Sequence, residues 1–253
     1  MIVAFHHIIP PRQVSPAQHT SEDEWPYAMS PPGFETLLHG LMDRGFKFVS
    51  LDRMVDQISV SGRLSGRPVA ITIDDGWLDN YEYALPVLQK LGLPATFFVA
   101  TEQFRNGSHN PHKMTAAQLR EMHRDGFAVG GHTRTHTDLT KIPLERAVEE
   151  IRGCKQDLED LLGAPVTLFA YPGGAFNETI ARAVRDAGFK AACSVLGLGI
   201  NTRSSMFWLS RDVLSEDLNR LGDRLRLSRI ARLALWPRTW WRLEKQLASG
   251  QAG

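Results

Sequence analysis

The feature that most constrains this chain is an alternation of short apolar runs with longer helical stretches. Seven runs are apolar on both faces: 2–6 (IVAFH), 46–50 (FKFVS), 68–74 (PVAITID), 95–100 (ATFFVA), 127–132 (FAVGGH), 165–171 (PVTLFAY) and 190–196 (KAACSVL). A strand that is apolar on both faces needs cover on both faces, as in a parallel sheet flanked by helices. Helical patterns fall between them at Phe34–Arg44, Asp79–Leu91, Thr115–Asp125, Leu144–Leu162 and Glu178–Ala187. Gly45, Gly92, Gly126, Gly163 and Gly188 each close a helical run before the next strand, where the left-handed residue of a helix terminus belongs. A β–α unit repeated about seven times predicts an α/β fold of the distorted (β/α)7-barrel type, with a doubly wound sheet as the alternative. The 253 residues can bury a sizeable core, and length alone does not choose between one large domain and two small ones. We divide the chain at 215: residues 1–215 hold the barrel pattern and 216–253 form a basic tail. Residues 10–33, rich in Pro, Ser and His, read as a long loop over one end.

Charge and composition exclude some classes. No apolar run approaches the roughly 20 residues of a membrane-spanning helix. Met1 leads straight into "IVAFHHIIPP", without a basic segment, a long apolar core or a small-residue cleavage site. We therefore expect no signal peptide and a cytoplasmic location. Cys154 and Cys193 lack metal-motif spacing and are expected as buried free thiols. The net charge of +1 is uneven: Arg220–Lys245 carries +6, which leaves about −5 on the rest. Within that tail Leu227, Ile230, Ala231, Ala234 and Leu235 follow helical spacing, with Arg226, Arg229 and Arg232 opposite and Trp236, Trp240 and Trp241 around Pro237. An amphipathic helix of this kind suits either peripheral contact at the inner membrane face or packing against the barrel, and both readings stand. No nucleic-acid-binding fold accompanies the charge, so nucleic acid is not expected as a partner.

In a β/α barrel the chemistry sits where strands end. The run 68–73 ends in Asp74-Asp75-Gly76. Two adjacent carboxylates after an apolar strand are costly to bury without a use. Asp75 would bind a cation while Asp74 holds a water; the alternative is a helix N-cap, a role that falls more naturally to Asp79. The run 127–131 ends in His132, and a helical or turn conformation would bring His136 to the same side. Two imidazoles and one carboxylate leave coordination positions open for water and substrate, as in catalytic metal sites. The run 165–171 ends in "YPGG", where Pro172 stiffens the backbone and Gly173 permits close approach by a ligand; a plain tight turn fits nearly as well. The first run ends in His6-His7, one of which should face the barrel mouth.

With these residues assembled, the chain resembles the polysaccharide deacetylases of carbohydrate esterase family 4, the NodB-homology domain. Thr72-Ile73-Asp74-Asp75-Gly76 matches the family's Thr-Phe/Tyr-Asp-Asp-Gly with one conservative change, and His132-Thr133-Arg134-Thr135-His136 matches His-Ser/Thr-x-x-His in full. The resemblance covers roughly the middle third of the chain. It implies a catalytic base at Asp74 and a metal site of Asp75, His132 and His136. The third motif departs: Ala170-Tyr171-Pro172-Gly173 lacks the usual Arg. "FAYPGG" and the early "FHHI" are similar to the branch acting in exopolysaccharide systems, whose proton-donating His lies on the first strand. No histidine follows His136, so the implied acid is His6, expected to be held protonated. Arg211, in "WLSRD", matches a late Arg of that branch and is expected to replace the missing one beside Asp74.

The implied reaction is metal-assisted removal of N-acetyl groups from amino sugars of a polysaccharide, oligosaccharide or lipid-linked saccharide. Zn²⁺ is the expected metal, with Co²⁺, Ni²⁺ or Fe²⁺ compatible with the same ligands. Tyr171, Pro172 and Gly173 are expected to support the site, with a backbone N–H near Gly173 stabilising the oxyanion. The alternatives are a deformylase or other deacylase of a lipid-linked amino sugar, and a non-catalytic carbohydrate-binding relative.

Overall fold

The computed structural model describes residues 1–10, 27–104, 110–195 and 200–215. The amphipathic reading of 216–253 lies outside the described residues. In chain order the elements are β1 (Ile2–Phe5), β2 (His7–Ile8), β3 (Ala28–Met29), α1 (Pro31–Asp43), β4 (Lys47–Phe48), α2 (Leu51–Ser61) and β5 (Pro68–Ile73). A π-helical turn, Asn80–Ala84, runs into α3 (Leu85–Leu91) and β6 (Ala95–Val99). There follow α4 (Ala116–Arg124), β7 (Ala128–Gly131), α5 (Leu144–Leu162), β8 (Leu168–Ala170), α6 (Glu178–Asp186), β9 (Ala191–Ser194), β10 (Leu209–Ser210) and β11 (Asp212–Val213).

The main sheet runs β10-β9-β8-β7-β6-β5-β1-β11, with parallel neighbours. Its two edge strands are one stretch of chain. Leu209 and Ser210 pair with β9, Asp212 and Val213 pair with β1, and Arg211 alone separates them. The sheet thereby closes on itself with seven staves, the distorted (β/α)7-type barrel rather than the doubly wound sheet. β4 pairs with the start of β5, and β2 with β3, outside this ring.

Alternate strand residues separate into two packed clusters, as the pleat requires. Val3, Phe5, Ile71, Ile73, Phe97, Val99 and Phe169 meet α1 and α3–α6, the helical jacket. Ile2, Ala70, Phe98, Leu168, Ala170 and Cys193 form the other cluster, joined by Leu51, Met54, Val55 and Ile58 of α2. Thr72 and Asp74 continue the alternation begun at Ala70, which aims them away from the jacket. Cys154 and Cys193 are buried and free, and burial pushes the Cys193 thiol up to about 12.

Helix ends follow their sequence signals. Gly45, Gly92, Gly126, Gly163 and Gly188 all have positive φ. The expected loop 10–33 is shorter at its far end: Ser30 caps α1 by accepting from the N–H of Gly33, and Pro31 and Pro32 occupy the first turn, where no intrahelical N–H is required. Among the described residues no helix is long and apolar enough to cross a membrane.

Candidate active site

The strands deliver their polar ends to one mouth. At the end of β5, Asp74 is 2% exposed and Asp75 4% exposed. The N–H of Asp74 donates to the Phe5 carbonyl at 2.9 Å, which ties this corner to β1. Arg211, fully enclosed at the barrel seam, spans Asp74 with two 2.7 Å bonds, Nη1 to Oδ1 and Nη2 to Oδ2. Its Nη1 also lies 3.2 Å from Thr72 Oγ1, and its Nε donates to the Ser194 carbonyl at 3.3 Å. Burial alone would raise the pKa of Asp74, but the adjacent guanidinium and its hydrogen bonds hold it below the ordinary carboxylate value. Arg211 thus stands beside Asp74, where the family resemblance places it.

Asp75 turns the other way. It adopts φ 72, uncommon outside glycine, and the chain continues through Gly76 at φ 68. Its Oδ2 accepts from the Trp77 indole N–H at 3.2 Å, while its backbone carbonyl accepts from Lys113 Nζ at 3.0 Å. Its Oδ1 faces His132 Nε2 at 3.2 Å and His136 Nε2 at 3.0 Å. His132 Nδ1 lies 2.7 Å from the Ala170 carbonyl, an acceptor only, so Nδ1 carries the proton and the ring turns Nε2 toward Asp75. Asp75 Oδ1 is buried and has no hydrogen-bond donor of its own. A carboxylate oxygen and two imidazole nitrogens, all within 4.8 Å of one another, therefore converge on a point that calls for a cation. The donor set fits a divalent metal. Burial would push Asp75 up, yet the contacts with His132 and His136 hold it well below the usual carboxylate range. For His136, burial works downward and the Asp75 contact prevails, raising its pKa.

The His132–His136 pair is not helical. Thr133 has φ 62 and His136 φ 59, so a turn with two left-handed residues brings the rings together, centroids 4.9 Å apart. The preceding Gly130 is required by close packing: a Cβ there would meet the Phe98 ring at 2.5 Å.

The two N-terminal histidines separate as expected. His6 faces the mouth, its Nε2 4.0 Å from Asp74 Oδ2 and its ring 5.1 Å from that of Tyr27. His7 is buried, bonded through Nδ1 to Asp79 Oδ2 at 2.6 Å and packed on Trp77 with centroids 4.7 Å apart. Two expectations need correction here. Asp79 makes no side-chain cap for the turn it begins, because its carboxylate is committed to His7. His6, expected to be held protonated, has its pKa lowered by burial, which the charges of Asp75 and Asp74 only partly oppose. Asn80, at the start of the π-helical turn, donates to the His6 carbonyl at 2.7 Å. Trp77 and Asn80 are supports that sequence reasoning does not assign, and Asp79 is assigned only as a cap; their one signal is that they closely follow Asp-Asp-Gly.

Tyr171 is fully buried, its hydroxyl donating to the Phe207 carbonyl at 2.7 Å, so its side chain braces the wall rather than facing a ligand. Pro172 opens a short turn in which Gly173 has φ 59, and a Cβ built at Gly173 meets nothing within 4 Å. The open space at Gly173 leaves room for a ligand beside this backbone.

Comparisons with known proteins bear on the family and the fold. The family model described as polysaccharide deacetylase matches residues 61–192. YxkH of Bacillus subtilis is 28% identical over 157 residues, covering 62% of this chain and 55% of that protein, so the chain spans little more than half the length of this relative. The poly-beta-1,6-N-acetyl-D-glucosamine N-deacetylase of Staphylococcus aureus is 25% identical over 202 residues, covering 76% of this chain and 69% of that one. The solved structure of IcaB from Ammonifex degensii superposes with a TM-score of 0.71 at 26% identity, covering 86% of this chain and 92% of that one. From its motifs, its barrel and these matches, the chain belongs to the polysaccharide deacetylase family.

Proposed function

We propose that this protein is a metal-dependent hydrolase that removes N-acetyl groups from amino sugars of a polysaccharide or a related saccharide. One observation carries the reading. Two adjacent buried carboxylates are differentiated, Asp74 satisfied by Arg211 and Asp75 turned toward the Nε2 atoms of His132 and His136. A divalent metal, Zn²⁺ by preference, would be held by Asp75, His132 and His136, and would polarise the amide carbonyl and acidify a water.

The chain's own residues supply the rest. Arg211 keeps Asp74 ionised and fixed in orientation, so Asp74 accepts the proton of the attacking water. The water oxygen bonds to the acetyl carbon, the C–N bond breaks, and the nitrogen must gain a proton to leave as an amine. His6 is placed to deliver it. Because burial lowers the pKa of the free ring, and a cation on Asp75 would offset the main charge opposing that trend, His6 on this reading acquires its proton during turnover. Asp74 Oδ2 lies 4.0 Å from His6 Nε2, so the proton that Asp74 collects can pass to His6 and serve both steps. The backbone beside Gly173 is the candidate oxyanion donor. The products are acetate and a free amino sugar.

The likeness to the Staphylococcus aureus N-deacetylase supports an N-acetylglucosamine polymer as the first substrate to try. Acetate release across a panel of N-acetylated oligosaccharides and lipid-linked amino sugars tests the proposal. Metal-dependent release from at least one is expected. Release of formate alone would assign a deformylase, and stoichiometric metal without turnover on any substrate would contradict the deacetylase reading.

A further inference from the structure

The loop between His132 and His136 is held from behind by one face of α5. Glu150, 6% exposed, accepts at Oε2 from the backbone N–H groups of Arg134 (2.8 Å) and Thr135 (2.9 Å), and at Oε1 from the Thr135 hydroxyl (3.1 Å). Two turns further along the helix, Asp157 receives the Arg134 side chain through two bonds, Nε to Oδ2 and Nη2 to Oδ1, both 2.9 Å. Asp157 Oδ2 also accepts from the Thr101 hydroxyl at 2.7 Å. Thr101 in turn donates its N–H to the Thr133 carbonyl at 3.3 Å, and Glu102 to the Arg134 carbonyl at 2.8 Å. The short loop is therefore bonded at four of the six backbone groups between the two histidines.

Gly153 explains how this is possible. It lies between Glu150 and Asp157 on the same helix face, and a Cβ there would fall 2.1 Å from Arg134 Cζ. A glycine in the middle of a 19-residue helix costs helix stability, so its presence asks for a reason. Here the guanidinium of Arg134 crosses the helix through the gap that Gly153 leaves. The loop needs such bracing because left-handed backbone at Thr133 and His136 persists only where the surroundings over-determine it.

We propose that α5 sets the geometry of the metal-binding loop, with Glu150 and Asp157 as positioning residues and Gly153 as the opening that lets Arg134 reach Asp157. The inference rests on the reading of Asp75, His132 and His136 as metal ligands. None of the three α5 residues touches the metal position; they act through the backbone that presents the histidines.

The test uses the full chain stripped of metal and titrated with Zn²⁺ against a chromophoric chelator. The visible spectrum of the Co²⁺ form and the melting temperature of the metal-free protein are read in parallel. Gly153→Ala and Glu150→Ala are expected to weaken Zn²⁺ binding by about 10–100-fold and to alter the Co²⁺ spectrum, the usual scale for a lost support of metal ligands. Metal-free Gly153→Ala should melt no lower than the parent, because alanine favours the helix and the displaced group is the end of a flexible side chain. Glu150→Gln, whose amide oxygen can still accept both backbone N–H groups, should retain most of the affinity. Gly153→Ala and Glu150→Ala binding within twofold of the parent, while His132→Ala loses the metal, would overturn the inference and leave the metal site standing. Affinity loss that merely follows a lowered metal-free melting temperature would also overturn it, by making α5 a general structural support. A parent that binds no Zn²⁺, or His132→Ala that binds like the parent, would remove the metal-site reading itself, and this inference with it.

Discussion

The two halves of the barrel mouth treat their charges in opposite ways. On the seam side, Asp74 and Arg211 neutralise each other, and both oxygens of the carboxylate are occupied. On the β7 side, Asp75 Oδ1 and the Nε2 atoms of His132 and His136 converge on one point. The first half is complete as folded, with the carboxylate that we propose as the base held in a fixed orientation. The second half, on the proposed reading, is completed by a cation. Two aspartates adjacent in sequence thus take different roles because the pleat and a left-handed backbone at Asp75 send them to different neighbours.

The comparison breaks most severely at Arg211. Arg211→Ala leaves Asp74 as an unpaired buried charge and should lower the unfolding free energy by about 3–5 kcal/mol in denaturant titration. An effect below about 1 kcal/mol would mean that the seam side is hydrated and not self-neutralised. His6→Ala should reduce acetate release by about 10²–10⁴-fold with metal content unchanged, whereas His7→Ala should act mainly on stability through loss of the Asp79 contact. Equal losses of turnover would remove the proton-donor assignment. Trp77→Phe keeps the ring that packs on His7 but removes the N–H that orients Asp75, so Zn²⁺ affinity should fall by about 10-fold, read by chelator competition. The smallest effect concerns acid stability. Asp74 and Asp75 both titrate below ordinary carboxylates in the fold, so their contribution is fully present above about pH 4 and is lost as pH falls through the folded values. Metal-free Asp74→Asn should therefore show a shallower decline of melting temperature below pH 4 than the parent.

Much of this is legible in the chain. The barrel follows from apolar runs and helix-ending glycines, because parallel strands buried on both faces carry their own signature. The helix Leu51–Ser61 also carries one, with Ser50 capping it and Leu51, Met54, Val55 and Ile58 buried, although sequence reasoning passes over it. Asp74, Asp75, His132 and His136 are legible because polar residues at strand ends stand out. Arg211 is legible only by resemblance, since nothing local says that residues 209–213 close the barrel. Trp77, Asp79, Asn80, Glu150 and Asp157 are harder still. Each supports the site through a partner fixed by packing, and Glu150 and Asp157 look like ordinary charges on an amphipathic helix. Gly153 is the exception, a mid-helix glycine with no local purpose. The π-helical turn at Asn80–Ala84 has no sequence signal that separates it from an α-helix.

The division of labour between the adjacent aspartates is tested most directly by measuring bound metal and acetate release together in Asp74→Asn and Asp75→Asn. The account predicts that Asp74→Asn keeps one equivalent of metal and loses turnover, while Asp75→Asn loses both. Loss of metal from Asp74→Asn, or full metal retention by Asp75→Asn, would contradict it.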